Sequence, residues 1–322
     1  MIGITPYYFQ NYKYNNQNKN RLQYKAVLNK DTVSFGSKNI LSYSRSKMNE
    51  LINNSIIQKN FIGAGTEGEV YIIPQTGFCI KIPYNVKHVF EKFTTSVSPK
   101  DKVNHTVAIF DNGARIMNYI EGRSLMYRRP PILRFSSENK NVDRFLEKFF
   151  SGYPDIQLHK FLKQLAQAKE KNMYFDFSPG NIIYNPENNT LTAIDFFEKN
   201  ANYDEIHPYS ILSRAFLGIK TYMKTPEAVE QNKQLGIKFI KVALNDLQGK
   251  NELHLSGTDF EVFFDRFEQS QEQKLPPQYN FLKQSIFDLL ELYKSKDASA
   301  AEIQGKLKYI NCIIRQLEEN IT

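Results

Sequence analysis

Three oxygen-bearing side chains have types and spacing that suit metal binding and catalysis, namely Asp176, Asn181 and Asp195. Between the last two, segments 182–184 and 191–194 are rich in β-branched residues and flank a polar turn, which predicts a β-hairpin. This hairpin places Asn181 just before its first strand and Asp195 just after its second. Their oxygens can then share a hard cation such as Mg²⁺, while Asp176 on the preceding loop can meet a substrate hydroxyl. The alternative interpretation is two surface turns with ordinary Asn and Asp residues.

A second pattern lies upstream, where the sequence reads Gly-x-Gly-x-x-Gly-x-Val. Its members are Gly63, Gly65, Gly68 and Val70. Glycines allow the backbone to approach phosphate oxygens closely and to present bare N–H groups to them. The pattern therefore predicts a loop that covers phosphates.

Lys81 follows the glycines in a strand-like segment, between Ile80 and Ile82. A lysine between such apolar neighbours is costly unless it has an anionic partner, and a phosphate can supply one. The spacing excludes a Walker loop, in which Gly-Lys-Ser/Thr closes the glycine motif. A dinucleotide-binding fingerprint is excluded as well, because a strand rather than a helix follows the glycines.

Several elements must position these residues. A Pro-Gln-Thr-Gly turn joins the strands 70–73 and 78–82, and Asp-Asn-Gly at 111–113 predicts a tight hairpin. A short helix is predicted at 85–93, and an amphipathic helix at 155–171 precedes Asp176. Further helices are predicted at 208–222, 226–247, 259–268, 278–293 and 300–318. The chain is therefore α+β, with a small antiparallel β part and a mainly helical remainder.

Together, these motifs resemble the protein-kinase family, in the form of a divergent bacterial-type member. The three glycines match its glycine-rich loop, and Lys81 matches its phosphate-binding lysine. Residues 174–181 match the catalytic loop, and Asp195 with the two phenylalanines after it matches Asp-Phe-Gly. Residues 117–125 look like the hinge between the two lobes. The aminoglycoside and choline kinase group is also similar.

The resemblance implies a bilobal protein-kinase-like fold. Its small antiparallel β lobe would span 51–120 and its mainly helical large lobe 121–322, with the catalytic loop at 174–181. Residues 1–50, rich in Asn, Lys, Ser and Tyr, are predicted to form a disordered or loosely docked arm.

The resemblance also implies roles for individual residues, with ATP and Mg²⁺ as cofactors. Lys81 would bind the α- and β-phosphates, Asp195 and Asn181 the metal, and Asp176 would act as the catalytic base. The glycine-rich loop and Val70 would cover the nucleotide. Met117 would lie behind the adenine, and the backbones of Asn118 and Ile120 would bond to its edge. Glu91 is the candidate partner of Lys81, and Ser178 stands where the family has a lysine near the γ-phosphate.

Three functional classes remain open. The complete glycine-rich loop favours a Ser/Thr protein kinase. Phe175 replaces the arginine that reads a phosphorylated activation loop, so regulation of that kind is not expected. Two features favour a small-molecule kinase like those acting on aminoglycosides or choline. They are the Ser-Pro-Gly-Asn run that ends at Asn181 and the short segment after Asp195. A nucleotide-binding pseudokinase module is the third class, and retention of Lys81 with the three oxygen-bearing residues opposes it.

Composition limits the partners and the compartment. The 322 residues carry a formal net charge of +8, which favours anionic partners such as nucleotides or acidic protein segments. No basic run interleaved with aromatics predicts nucleic-acid binding. The two cysteines have no zinc or disulfide spacing. No apolar run reaches the ~18 residues of a transmembrane helix, and no signal peptide is visible. The default location is the cytosol, and the alternative is an effector secreted with residues 1–50 as its address.

Overall fold

The structure is a computed structural model that describes residues 40, 43–58, 60–64, 67–86, 90, 92–125, 149, 152–175, 179–198, 207–213, 216, 226–269 and 277–319. It contains a six-stranded antiparallel sheet and a mostly helical region, so the predicted α+β class is confirmed. The buried apolar side chains form two clusters. One draws on residues between Ile40 and Ile116, and the other on residues between Leu125 and Leu317.

The six-stranded sheet carries the glycine-rich segment and Lys81. Its strands are β1 (Phe61–Ala64), β2 (Gly68–Ile73), β3 (Phe78–Pro83), β4 (Phe93–Thr94), β5 (Thr106–Phe110) and β6 (Arg115–Asn118). Their order across the sheet is β1-β2-β3-β6-β5-β4, and every neighbouring pair is antiparallel. β3 therefore lies inside the sheet, with partners on both sides.

Both predicted hairpin turns of this sheet are present. Between β2 and β3, Gln75 and Gly77 adopt positive φ angles of 63° and 75°. Between β5 and β6, Gly113 has a φ of 87°, and its N–H donates to the Phe110 carbonyl at 2.8 Å. The missing Cβ lets glycine take such angles without steric cost, which is why the sequence marks these turns clearly.

Helix α1 (Arg45–Ile57) packs on the six-stranded sheet. Ser44 caps it by accepting a hydrogen bond from the Lys47 N–H, and Met48 and Ile52 are fully buried in the cluster beside the sheet. A packed helix therefore begins at Arg45, within the segment 1–50 that composition predicts to be an arm. The helix has few apolar residues, so its buried face gives only a weak periodic signal in the sequence.

The helix predicted at 85–93 is wrong at its described positions. Residues 84–86 form a turn that is closed by a 3.0 Å hydrogen bond from the Val86 N–H to the Pro83 carbonyl, and β4 begins at Phe93. A short helix, α2 (Pro99–Val103), comes later, just before β5. Glu91, the residue that the predicted helix was to supply, lies outside the described residues.

Two small sheets follow the six-stranded sheet along the chain. The first contains β7 (Arg123–Ser124), β9 (Ile182–Asn185) and β10 (Thr190–Ala193), in the order β10-β9-β7. The second pairs β8 (Met173–Phe175) with β11 (Phe196–Glu198). The predicted β9–β10 hairpin is confirmed, with Thr190 opposite Asn185 next to the turn.

Helices form most of the remaining described chain. They are α3 (Asp155–Glu170), α4 (Pro208–Leu212), α5 (Pro226–Gln248), α6 (Gly257–Gln269), α7 (Pro277–Lys294) and α8 (Ala300–Glu319). The predicted apolar face of α3 is buried, namely Leu158, Phe161, Leu162, Leu165 and Ala168. The predicted bounds of α3 and of α5 to α8 agree with the structure within a few residues. Of the helix predicted at 208–222, α4 is the described α-helical part, and most of the positions after 213 lie outside the described residues. Within the described ranges, no helix is both long and apolar enough to cross a membrane.

Candidate functional site

Lys81 is the centre of the candidate site. Its side chain is 21% exposed, and its neighbours Ile80 and Ile82 are buried. Two carboxylates supply the anionic partners that such a position demands. The Lys81 Nζ donates to Glu67 Oε2 at 3.0 Å and to Asp195 Oδ1 at 3.2 Å. The structure therefore brings Lys81 and Asp195 together across 114 residues of sequence.

Electrostatic interactions keep Lys81 and Glu67 charged. Burial alone would lower the pKa of Lys81, but attraction to Asp195 and the hydrogen bond to Glu67 outweigh it and raise that pKa above its ordinary value. The pKa of the Glu67 carboxyl is lowered, chiefly by the hydrogen bond and the charge of Lys81. Lys81 and Glu67 are thus an ion pair at neutral pH.

Asn181 and Asp195 lie at the same end of the β9–β10 hairpin. Asn181 ends a short 3₁₀ turn (Pro179–Asn181) that leads into β9, and Asp195 follows β10. The Ile194 N–H donates to the Asn181 carbonyl at 2.9 Å, which holds the two segments side by side. This is the arrangement that the spacing of the sequence predicts.

The backbone of Asp195 is strained and held from both sides. Its φ of 66° lies in the left-handed region, which costs free energy for a residue other than glycine. The Asn104 carboxamide accepts from the Phe196 N–H at 2.7 Å and donates to the Phe196 carbonyl. His105 Nε2 lies 3.2 Å from the Ala193 carbonyl oxygen. Two residues that precede β5 therefore fix the segments on either side of Asp195.

The sequence patterns do not mark three residues that the structure places at the site, namely Glu67, Asn104 and His105. Asn104 contacts a residue 92 positions away, so no local spacing marks it. Glu67 lies inside the glycine-rich motif, at a position where the motif specifies no residue type. A signal was available for Glu67, because a carboxylate is chemically unexpected between two glycines that are predicted to cover phosphates.

The described glycines of the motif have different structural roles. A Cβ added to Gly68 would lie 2.2 Å from the Ile82 carbonyl oxygen, so the pairing of β2 with β3 requires glycine there. A Cβ on Gly63 would meet nothing within 4 Å. Gly63 pairs with Val70 across β1 and β2. The fold therefore explains Gly68 but gives no steric reason for Gly63.

Met117 and Asn118 end β6, at the position proposed for the hinge. Met117 pairs with Cys79 on β3. The Asn118 N–H donates to the His105 carbonyl at 2.9 Å, and the Asn118 carbonyl faces the Cys79 thiol at 3.9 Å. A thiol is a weak donor, so the Asn118 carbonyl keeps the capacity to accept a hydrogen bond from a ligand.

The connection from β6 to β7 contains Ile120 and passes close to β9. Gly122 has a φ of 133°, and a Cβ there would lie 2.6 Å from the Tyr184 carbonyl oxygen. After this close approach, the Leu125 N–H donates to the Ile182 carbonyl at 2.9 Å. The segment thus links the six-stranded sheet to the sheet that positions Asn181 and Asp195.

Four predicted site residues lie outside the described residues, namely Gly65, Glu91, Asp176 and Ser178. Their neighbours still constrain the site. Phe175, which precedes Asp176 in the chain, pairs with Phe196, which follows Asp195. The β8–β11 pairing therefore joins the strand that leads into the predicted catalytic loop to the Asp195 segment.

The donor chemistry of the site fits Mg²⁺ in part. The part of the chain that the structure describes holds no group of three or more His, Cys, Asp or Glu side chains arranged for a metal ion. Asn181 and Asp195 offer one carboxamide and one carboxylate. Because Mg²⁺ in nucleotide sites is held by one or two carboxylates together with substrate phosphates and waters, this set suits a metal that arrives with a nucleotide.

No protein-family model matches the chain, and no curated protein matches it in sequence.

Proposed function

We propose that this protein is an ATP- and Mg²⁺-dependent phosphotransferase with a bilobal protein-kinase-like fold. The observation that carries the proposal is the contact between Lys81 and Asp195. It joins the sheet that holds the glycine-rich motif to the hairpin that holds both candidate metal ligands. A phosphate group placed between them would meet an ammonium on one side and a metal site on the other.

Each site residue has a proposed role that follows from its position. Lys81 binds the α- and β-phosphates, while Asp195 and Asn181 hold Mg²⁺, which neutralises phosphate charge when it is bound. Gly63 and its neighbours present backbone N–H groups to the phosphates. The carbonyl of Asn118 accepts from the adenine edge, next to Met117 and Ile120. Catalysis then depends chiefly on positioning and on charge stabilisation.

Asp176 is the proposed base that orients the acceptor hydroxyl and takes its proton. The proposal rests on the match of 174–181 to the catalytic loop and on the pairing of Phe175 with Phe196. Asp176→Asn should keep MgATP binding and lose about 10²–10⁴-fold in transfer rate, as expected when a positioned base is removed. Asp111→Asn, which changes an exposed carboxylate in the β5–β6 turn, is the matched control. Unchanged transfer in Asp176→Asn would remove Asp176 from the mechanism.

The preferred acceptor is a Ser or Thr hydroxyl of a protein. The complete glycine-rich motif and the net charge of +8 support it, because a basic protein attracts acidic peptide segments. A small-molecule alcohol is the second candidate. The short segment after Asp195 favours this candidate, because the next described helix, α4, already begins at Pro208.

Transfer from γ-labelled ATP separates these classes. Purified protein is incubated with MgATP and either protein pools or a panel of aminoglycosides and choline-like alcohols. Label on protein Ser or Thr supports the preferred acceptor, and label only on a small alcohol replaces it with the second. Binding of MgATP without transfer to any acceptor would identify a pseudokinase module and refute the proposed enzymatic activity.

A further inference from the structure

Lys81 has a second anionic partner that its proposed role does not require. Glu67 contributes a carboxylate oxygen 3.0 Å from the Lys81 Nζ, which is closer than the Asp195 oxygen at 3.2 Å. The Glu67 side chain is 73% exposed, whereas that of Lys81 is 21% exposed. The contact therefore lies at the mouth of the site, on the side of the glycine-rich motif.

The backbone of Glu67 is held where it can reach the lysine. Its carbonyl accepts from the Tyr84 N–H at 3.2 Å. The next residue, Gly68, pairs with Pro83 and approaches the Ile82 carbonyl so closely that no side chain fits there. Since Glu67 and Gly68 are tied to the end of β3 and to the residue after it, the backbone of Glu67 has a fixed position from which its carboxylate reaches Lys81.

A carboxylate at this place is chemically equivalent to a phosphate oxygen. Both accept charge-assisted hydrogen bonds from an ammonium group, and both are anions. A phosphate that binds Lys81 must therefore either displace the Glu67 carboxylate or lie beside it and be repelled. Gly68 and Tyr84 hold only the backbone of Glu67, so its exposed side chain is free to rotate away.

We propose that Glu67 is an internal anion that pairs with Lys81 in the nucleotide-free protein. Its carboxylate then competes with the phosphates for Lys81 and so sets the nucleotide affinity. This inference rests on the proposed nucleotide site. The opposite role is that Glu67 orients Lys81 for the nucleotide. In that case Glu67 takes the role that the sequence analysis predicts for Glu91. The two roles predict opposite signs for the same substitution.

Calorimetric titration of Glu67→Gln with MgATP and with ADP distinguishes them. Gln keeps the shape of the side chain and removes its charge. Competition predicts affinities about two- to fivefold tighter than in the wild type at low salt, the range expected from loss of one exposed ion pair. The difference should shrink at high ionic strength, because salt screens exposed charges.

Glu69→Gln is the matched control. It removes the same charge two positions along β2, where the Glu69 carboxylate accepts from the Tyr71 hydroxyl rather than from Lys81. Its nucleotide affinity should equal that of the wild type. Equal or weaker binding by Glu67→Gln than by the wild type would overturn the competition while leaving the nucleotide site intact. If neither the wild type nor Glu67→Gln binds nucleotide, the proposed function is refuted, and the competition with it.

Discussion

The glycine-rich motif allows a paired test, because its two described glycines differ in their surroundings. In Gly68→Ala, the new Cβ would lie 2.2 Å from the Ile82 carbonyl oxygen and 2.9 Å from the Pro83 Cα, both of them backbone atoms. Contacts below 3.0 Å essentially never occur for a real Cβ, so β2 and β3 must separate by about 1 Å near Gly68. We expect a loss of about 2–3 kcal/mol in the free energy of unfolding, as for an overpacked core site.

Gly63→Ala is the contrasting change. Its Cβ meets no atom within 4 Å, so the free energy of unfolding should stay within about 0.5 kcal/mol of the wild type, or rise slightly. If the Gly63 backbone approaches phosphates, however, the added methyl group should weaken MgATP binding. In that case the packing of the fold requires glycine at position 68, and nucleotide binding requires glycine at position 63.

Urea denaturation and calorimetric titration of both variants provide the measurements. Equal unfolding free energies for Gly68→Ala and Gly63→Ala would refute the steric reasoning. Wild-type affinity for MgATP in Gly63→Ala would show that no phosphate approaches this glycine.

Three further predictions concern other contacts and residues of the described fold. Asn104→Ala leaves the N–H and carbonyl of Phe196, which is 4% exposed, without their partner, and urea denaturation should show a loss of about 2–4 kcal/mol in the free energy of unfolding. Burial alone would raise the pKa of Asp259, but hydrogen bonds from Ser256 and His207 hold it below its ordinary value. Its stabilisation is thus present above the unfolded pKa of about 4 and lost as the pH falls through the folded value, so the stability lost in Asp259→Asn should shrink below about pH 4 in urea titrations from pH 7 to 3. Finally, Phe175 is buried and lacks the guanidinium that binds phosphate, so phosphatase treatment of cell-derived protein should leave its turnover unchanged, and a large loss would contradict this.

Local signals in the sequence predicted much of the framework. The turns at Gly77 and Gly113 and the β9–β10 hairpin depend on neighbouring residues, and their residue types report those conformations directly. The apolar spacing of α3 likewise reports one buried face. These elements are sufficient to bring Asn181 and Asp195 to one end of a hairpin.

Contacts between distant segments could not be predicted in the same way. The hydrogen bonds of Asn104 depend on how α2 and β5 pack beside β11, which no short window of sequence encodes. The partner of Lys81 was sought in a helix that the described residues do not form, whereas the structure supplies Glu67 from the glycine-rich motif itself. Helix α1 escaped prediction because packing on the sheet, rather than its own propensity, stabilises it.

We propose that Lys81, Asn181 and Asp195 form a metal-dependent nucleotide site. The binding of ATP to the wild type and to Asp195→Ala, with and without Mg²⁺, tests this site by calorimetry and thermal unfolding. Asp297→Ala, which removes an exposed carboxylate between α7 and α8, is the control.

MgATP should bind the wild type and the control and stabilise both by about 2.7 kcal/mol at a concentration one hundred times the Kd. Omission of Mg²⁺ or loss of Asp195 should remove most of that effect and leave weak binding through Lys81. Absence of ATP binding in the wild type, or equal affinity of the wild type and Asp195→Ala both with and without Mg²⁺, would rule out this site.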